Sequence, residues 1–190
     1  MSAHPILTTV LDTPIGPLSL AVRGDALIAA GFGADPAALL SRLHHSLRSA
    51  PVSDARPADL PWLVKPVQDY FDGDLTALDG LPVHQPASPG RQRMWEELRA
   101  VPPGITVTYT ELAARADQPT APRAAGAACA ANLIAPVVPC HRALRTDGSL
   151  GGYYYGLDRK RWLLRHEGAI FHDAGSLSAN SDDRLRGSWR

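Results

Sequence analysis

A thiol, an imidazole and a carboxylate, those of Cys140, His141 and Glu167, fall within 28 residues of this chain. Together they are the groups a cysteine nucleophile needs: a thiolate that attacks, a base that takes its proton, and a carboxylate that orients the base. A lone cysteine is more often a small buried hydrophobe. The surroundings of Cys140 argue otherwise, because Pro139 fixes the backbone before it and the apolar run from Leu133 to Val138 leads into a protected site. Neighbouring side chains diverge by about 100° on a helix and point oppositely on a strand, so a bridging water is the expected relay between Cys140 and His141. Glu167 closes a helix predicted over residues 158–166, where the macrodipole disfavours a negative charge; a functional reason for it is the better reading.

The remaining composition narrows the classes. The 190 residues suffice for one good core or two small ones. Cys129 and Cys140 are the two cysteines, and neither has the spacing of a disulfide framework or a metal site, so reduced thiols and no metal are expected. There is no apolar run of the roughly 18 residues that a bilayer crossing requires, and the N-terminus lacks a basic stretch followed by an apolar one. The expectation is a soluble, reduced, cytoplasmic protein without a membrane partner. Formal charge is zero overall, with 19 Lys+Arg and 19 Asp+Glu, yet residues 91–168 hold 11 against 7 and the rest of the chain 8 against 12. The basic part is the part that holds the thiol, a modest bias toward a polyanionic partner.

The elements that must position these groups can be read in outline. Residues 7–12 and 18–22 alternate around Thr13-Pro14-Ile15-Gly16-Pro17 as a hairpin, and 26–32 gives a third strand. Asp35 with Pro36 opens a helix predicted to run through about Arg48. Residues 50–60 read as a loop, 62–72 as a second helix ending at Gly73, and the Pro- and Gly-rich stretch 80–90 as a domain boundary. Helices follow over 91–100, over 111–116 with Thr110 as cap, and over 121–131 with Pro122 in the first turn. The last two form a helix-turn-helix candidate. From Arg123 to Ala131 the second of these helices is almost all small residues. It offers no side chain to read base edges in a major groove, but it can approach a minor groove closely with Arg123 as the one intruder; a tightly packed core helix is the plainer alternative.

As a set, Pro139-Cys140-His141-Arg142, Gly148-Ser-Leu-Gly-Gly-Tyr153, Gly156-Leu157-x-x-Lys160 and Leu163-Leu164-x-His166-Glu167-Gly168 resemble the active-site signature of the O6-alkylguanine-DNA alkyltransferases. The likeness extends through Trp95, Pro103-Gly104, Thr108-Tyr109, Leu112-Ala113, Arg123-Ala124 and Asn132, and more weakly to Thr13-Pro-Ile-Gly-Pro-Leu18 and Tyr70-Phe71-x-Gly73. It implies an α/β (α+β) fold with three parts. Residues 1–85 would be a ribonuclease-H-like domain with a small antiparallel sheet, 86–168 a helical winged helix-turn-helix domain for DNA binding and alkyl transfer, and 169–190 a flexible tail.

The activity the resemblance implies is direct-reversal repair. Cys140 would take the alkyl group from O6-alkylguanine, and by extension O4-alkylthymine, in one turnover and without a cofactor. His141 would act through water as its base and Glu167 would orient that histidine. Tyr109 would hydrogen-bond the leaving guanine, and Asn132 would hold the turn before the active-site loop. Arg123 would fill the stack left by the flipped base, with Thr108, Ala124, Gly126, Ala127 and Ala130 along the minor groove. Tyr153, Tyr154, Tyr155 and Lys160 would join Tyr109 around the base. The partner would be double-stranded DNA and the protein a monomer, associated with the nucleoid when bound. Relatives that bind alkylated DNA without accepting the group carry Trp in place of the cysteine, which sets this chain apart from them.

Two other classes fit parts of the pattern. A cysteine hydrolase acting on a small ester or amide would use the same three groups but leaves the Arg123 helix and the basic half without a role. A regulatory DNA-binding module would leave Cys140 merely buried.

Overall fold

A computed structural model of the chain describes residues 4–173. Strands β1 (Ile6–Leu11), β2 (Leu18–Arg23) and β3 (Ala26–Phe32) form an antiparallel meander, and β4 (Val52–Asp54) adds to β1 in parallel, giving the order β3-β2-β1-β4. The sheet is therefore mixed, where an antiparallel one was expected. The predicted loop 50–60 hides β4 because three exposed residues on an edge show no alternation; Thr8 Oγ1 donating to Asp54 Oδ1 at 2.8 Å secures it.

Both faces of the sheet are covered. Leu18, Leu20 and Val22 point toward helix α2 (Pro61–Asp72), which buries Leu63, Val64, Val67 and Tyr70 and stops at Gly73, whose φ of 114° suits glycine. On the other face Ile6, Ala21 and Ile28 meet Leu39, Leu43 and Leu47. The helix that supplies Leu39 is shorter than predicted: α1 spans Pro36–Leu40 and gives way to a single 3-10 turn at His45–Leu47. Side chains there compete with the helix ladder, Ser41 Oγ donating back to Ala38 O at 2.8 Å and His44 Nδ1 accepting from Ser46 N at 3.3 Å.

The C-terminal part packs α3 (Pro89–Arg99), α4 (Tyr109–Arg115) and α5 (Pro122–Ala131) together, followed by α6 (Leu157–His166). Two short parallel strands, β5 (Val107–Thr108) and β6 (Ala143–Leu144), tie the segment before α4 to the one after the thiol. Met94, Trp95 and Leu98 of α3 are buried on the expected face. The cap of α4 is Thr108 and not Thr110. Thr108 Oγ1 accepts from Glu111 N at 3.1 Å while Glu111 Oε2 accepts from Thr108 N at 2.6 Å, a reciprocal box that needs Glu three residues past the cap.

One hydrophobic cluster runs through both parts, joining Leu20, Leu27 and Val67 to Met94, Leu112, Ile134 and Leu163. Backbone bonds cross as well: Ala30 N donates to Leu133 O at 2.8 Å and Ala135 N to Ala30 O at 3.0 Å. The predicted tail is held at its start, where Ala169 and Phe171 pack on Leu144, Leu150 and Leu164. There Asp173 also accepts from Arg161 Nε at 2.9 Å and from Arg165 at 2.7 Å. The expectation of a flexible tail fails for 169–173, and its remainder, 174–190, lies outside the described residues.

Candidate active site

The loop after α5 is shaped by Asn132, which is buried at the helix end. Its Nδ2 donates to Val138 O at 2.8 Å and lies 3.2 Å from Cys140 Sγ, while its Oδ1 accepts from Ile134 N at 3.0 Å. One amide thus fixes both ends of the apolar run and the sulfur it leads to. Cys140, His141 and Arg142 then form a single 3-10 turn, which turns the sulfur away from the two side chains that follow it. Cys140 faces a cavity; His141 and Arg142 face Glu167.

Glu167 is the hub. Its Oε1 accepts from His141 Nε2 at 2.9 Å, from Tyr70 Oη at 2.7 Å and from an Arg142 terminal nitrogen at 2.9 Å, and its Oε2 accepts from Arg142 Nε at 2.9 Å. The side chains of His141 and Glu167 are wholly buried. Burial alone would raise the Glu167 carboxyl, but His141 and the two-pronged Arg142 guanidinium hold it well below the usual carboxylate range. A carboxylate only accepts, so His141 carries its proton on Nε2 and presents Nδ1 as a free base. Nδ1 has no hydrogen-bond partner among the described residues, and burial lowers the imidazole from its ordinary value, so the ring is neutral at rest. Burial also pushes the Cys140 thiol up, against a smaller opposing effect of the Asn132 donor. The resting pair is thiol and neutral imidazole, with no direct hydrogen bond between them among the described residues.

A cavity of about 330 Å3 lies over the sulfur. Gly126, Cys129 and Ala130 of α5 form one wall, Tyr109 another, and Gly152, Tyr153 and Tyr154 the opposite side. Burial raises the Tyr109 phenol to about 12, which keeps it an O–H donor at neutral pH. The loop facing it needs glycine: Gly151 has φ 64°, and a Cβ there would stand 2.9 Å from Tyr109 Oη.

Two residues expected around a base are elsewhere. Tyr155 turns toward the N-terminal sheet, its ring edge-on to Phe32 at 5.6 Å and clear of the cavity. Lys160 is fully buried and cannot reach the cavity, because its ammonium must be satisfied internally; it donates to Ala143 O at 2.7 Å, to Leu150 O and to Gly152 O at 3.5 Å. It braces the loop that carries Tyr153 and Tyr154. Burial lowers its pKa to about 8. Lys160→Met should therefore lower the unfolding free energy by about 2–3 kcal/mol in urea titration, from carbonyls left without a donor; a change under about 0.5 kcal/mol would refute the bracing role.

Along α5, Arg123, Ala124, Ala127 and Ala130 are exposed and Gly126 half-buried, whereas Ala125 and Ala128 face the core. The small residues thus form an outer face, with Arg123 at its start. Thr108 is the half-buried cap of α4.

Two family models match in succession: the 6-O-methylguanine DNA methyltransferase ribonuclease-like domain over residues 6–85 and the DNA binding domain of the same family over 89–169. The methylated-DNA–protein-cysteine methyltransferase of Mycobacterium tuberculosis is 36% identical over 157 residues, 83% of this chain and 89% of that relative. The chain belongs to the 6-O-methylguanine DNA methyltransferase family. The Salmonella typhimurium member of this methyltransferase family is 48% identical over 102 residues, 54% of the chain but 60% of the relative's length. The match to this and similar enterobacterial relatives thus spans about three fifths of their length. In structure, Mycobacterium tuberculosis OGT in complex with DNA superposes with a TM-score of 0.70 at 32% identity, covering 86% of this chain and 92% of that one.

Three participants carried no role in the sequence reading. Arg142 stands beside the nucleophile in the motif, Tyr70 appeared only in a distant Tyr-Phe pair, and His166 was one letter of a signature. Spacing alone could not have revealed them, since Tyr70 and Glu167 lie 97 residues apart.

Proposed function

We propose that this methyltransferase family member repairs O6-alkylguanine in double-stranded DNA by moving the alkyl group to its own Cys140. The observation that carries this reading is the position of Cys140 at the floor of a cavity walled by α5, the helix whose outer face is small residues headed by Arg123. A hydrolase needs no such helix beside its thiol, and a purely regulatory binder needs no cavity over one.

In this reading α5 enters the minor groove, where Ala124, Gly126, Ala127 and Ala130 let the backbone approach, and Thr108 flanks them. The alkylated guanine is extruded into the cavity, and Arg123 offsets the few kcal/mol of lost stacking. His141 Nδ1 takes the Cys140 proton through one water, Glu167 keeping the ring aimed. The sulfur attacks the alkyl carbon and the S–C bond forms as the C–O6 bond breaks. The departing guanine takes up, through water, the proton that His141 received from the thiol, while Tyr109 donates a hydrogen bond to its ring, so that guanine leaves neutral and the imidazole returns to its neutral form. Asn132 holds the sulfur in line. The thioether is stable, so each chain acts once. Domains at 1–85 and 86–168, action as a monomer and a cytoplasmic setting complete the proposal.

The test is incubation with duplex DNA containing O6-methylguanine, followed by the mass of the peptide bearing Cys140. A gain of one methyl group supports the reading; an unmodified peptide after lesion binding overturns it. Arg123→Ala should cut transfer from duplex DNA by about a hundredfold, with thermal stability unchanged because the side chain is exposed. If the variant repaired duplex DNA at the wild-type rate, Arg123 would have no part in extrusion.

A further inference from the structure

The signature Leu163-Leu164-x-His166-Glu167-Gly168 holds a histidine outside the relay. His166 Nε2 lies 2.7 Å from the main-chain oxygen of Tyr70, the Trp162 ring stacks on the His166 ring at 4.6 Å, and the Tyr70 ring meets it edge-on at 5.2 Å. Tyr70 belongs to α2, in the part of the chain that supplies none of the reacting groups, yet it is 1% exposed and its phenol ends on Glu167. Held at its main chain and its ring, it has no freedom to point elsewhere.

We propose that Tyr70 is a positioning residue for alkyl transfer, supplied by the N-terminal domain: by donating to the Glu167 oxygen that faces His141, it fixes the rotation of the carboxylate and takes up part of the charge the imidazole feels. The proposal rests on the function proposed above. Oε1 is shared by Tyr70 at 2.7 Å and His141 at 2.9 Å, so a donor on one side weakens the pull on the other. Burial first, and the Glu167 charge second, keep the Tyr70 phenol protonated far beyond neutral pH, so it can only donate. Without that donor, Oε1 draws more strongly on His141 and favours its imidazolium. A protonated ring cannot accept the Cys140 proton. Among the described residues, the other charged and titratable groups around His141 are Arg142 and Lys160, both cations, and Cys140; Tyr153 stands near Tyr70.

Tyr70→Phe keeps the ring contacts and removes only the hydroxyl. The variant should transfer methyl groups about tenfold more slowly at neutral pH, with the acid limb of its pH–rate profile moved to higher pH and its affinity for lesion-bearing duplex unchanged. An unshifted limb with a wild-type rate overturns the proposal, and so does a slower rate with an unshifted limb, which would mark a merely structural role. Should Tyr70→Phe fail to fold, 3-fluorotyrosine at position 70, a stronger donor, should move the limb to lower pH; an unmoved limb overturns the proposal. Wild-type protein that gains no methyl group overturns the functional reading together with this one, whereas wild-type transfer matched by the variant overturns this one alone.

Discussion

Cys140→Ser protein should accept no alkyl group. With excess O6-methylguanine duplex the peptide containing position 140 should keep its mass, and any residual rate should lie at least about a thousandfold below wild type. The environment explains so complete a loss. Burial already pushes the Cys140 thiol above its ordinary value, and the base that must take its proton is itself lowered by burial. Proton transfer is therefore uphill at rest and must accompany S–C bond formation. A hydroxyl is several units harder to deprotonate than a thiol, so the same relay would be asked for far more than it can supply. The geometry should survive, because Asn132 can donate to an oxygen as to a sulfur, and lesion binding should be unaltered. In the wild type the rate should hold through neutral pH and fall only below the ordinary imidazole value of about 6.5, since protonating His141 removes the base and burial delays that protonation. Methyl transfer to the introduced hydroxyl at a measurable fraction of the wild-type rate would refute the account.

Glu167→Ala should be among the most destabilising single changes in the chain, costing about 3–5 kcal/mol, or roughly 10 °C in Tm for a protein of this size. The reason is what would be left behind. Among the described residues Arg142 would keep only Val101 O as a partner for a buried guanidinium, and the Tyr70 hydroxyl and the His141 Nε2 proton would both lose their acceptor. The folded carboxyl lies below its unfolded value of about 4.3, so its contribution is complete above that pH and is lost as pH falls toward the folded value. His141 acts in the same direction. Its folded value lies below about 6.5, so stability declines as pH drops through that region and the unfolded chain takes up the proton. Wild-type stability should thus erode in two steps on acidification, and Glu167→Ala should lack the lower one. Thermal melts across pH would show this, and a variant melting within about 2 °C of wild type at pH 7 would contradict the picture of a saturated hub.

Much of this was legible in the sequence where one residue's chemistry is local. Pro36, Pro122 and Gly73 marked helix ends correctly, and the face Met94, Trp95 and Leu98 followed from helical spacing. Cys140, His141, Glu167 and Asn132 do converge, on one turn and two helix ends whose chemistry could be read locally although their meeting depends on how those elements pack. What escaped depended on distant partners. The three residues of β4 become a strand only by pairing with β1, and Thr108 outcompetes Thr110 as a cap only because Glu111 reaches back to it. Lys160 looked like a cavity residue until the carbonyls of Ala143, Leu150 and Gly152 claimed its ammonium. Position in a signature conveys proximity to the site; it does not convey which way the side chain turns.

The shared core has a consequence for how a base could enter. Two-part proteins commonly swing about their linker when the interface between the parts is small and polar. Here Leu20, Leu27 and Val67 share one apolar cluster with Met94, Leu112 and Leu163, and β3 continues its ladder into residues 133–135. Swinging the halves apart would tear that cluster and strand its backbone groups. The segment between Leu150 and Gly156 is held to the body as well: Lys160 donates to Leu150 O and Gly152 O, Arg159 donates to Tyr155 O at 3.1 Å, and the exposed Tyr154 ring lies 3.9 Å from the Arg42 guanidinium. Access to the thiol is therefore set by the shape of a fixed cavity mouth, and not by a motion of one half of the protein against the other.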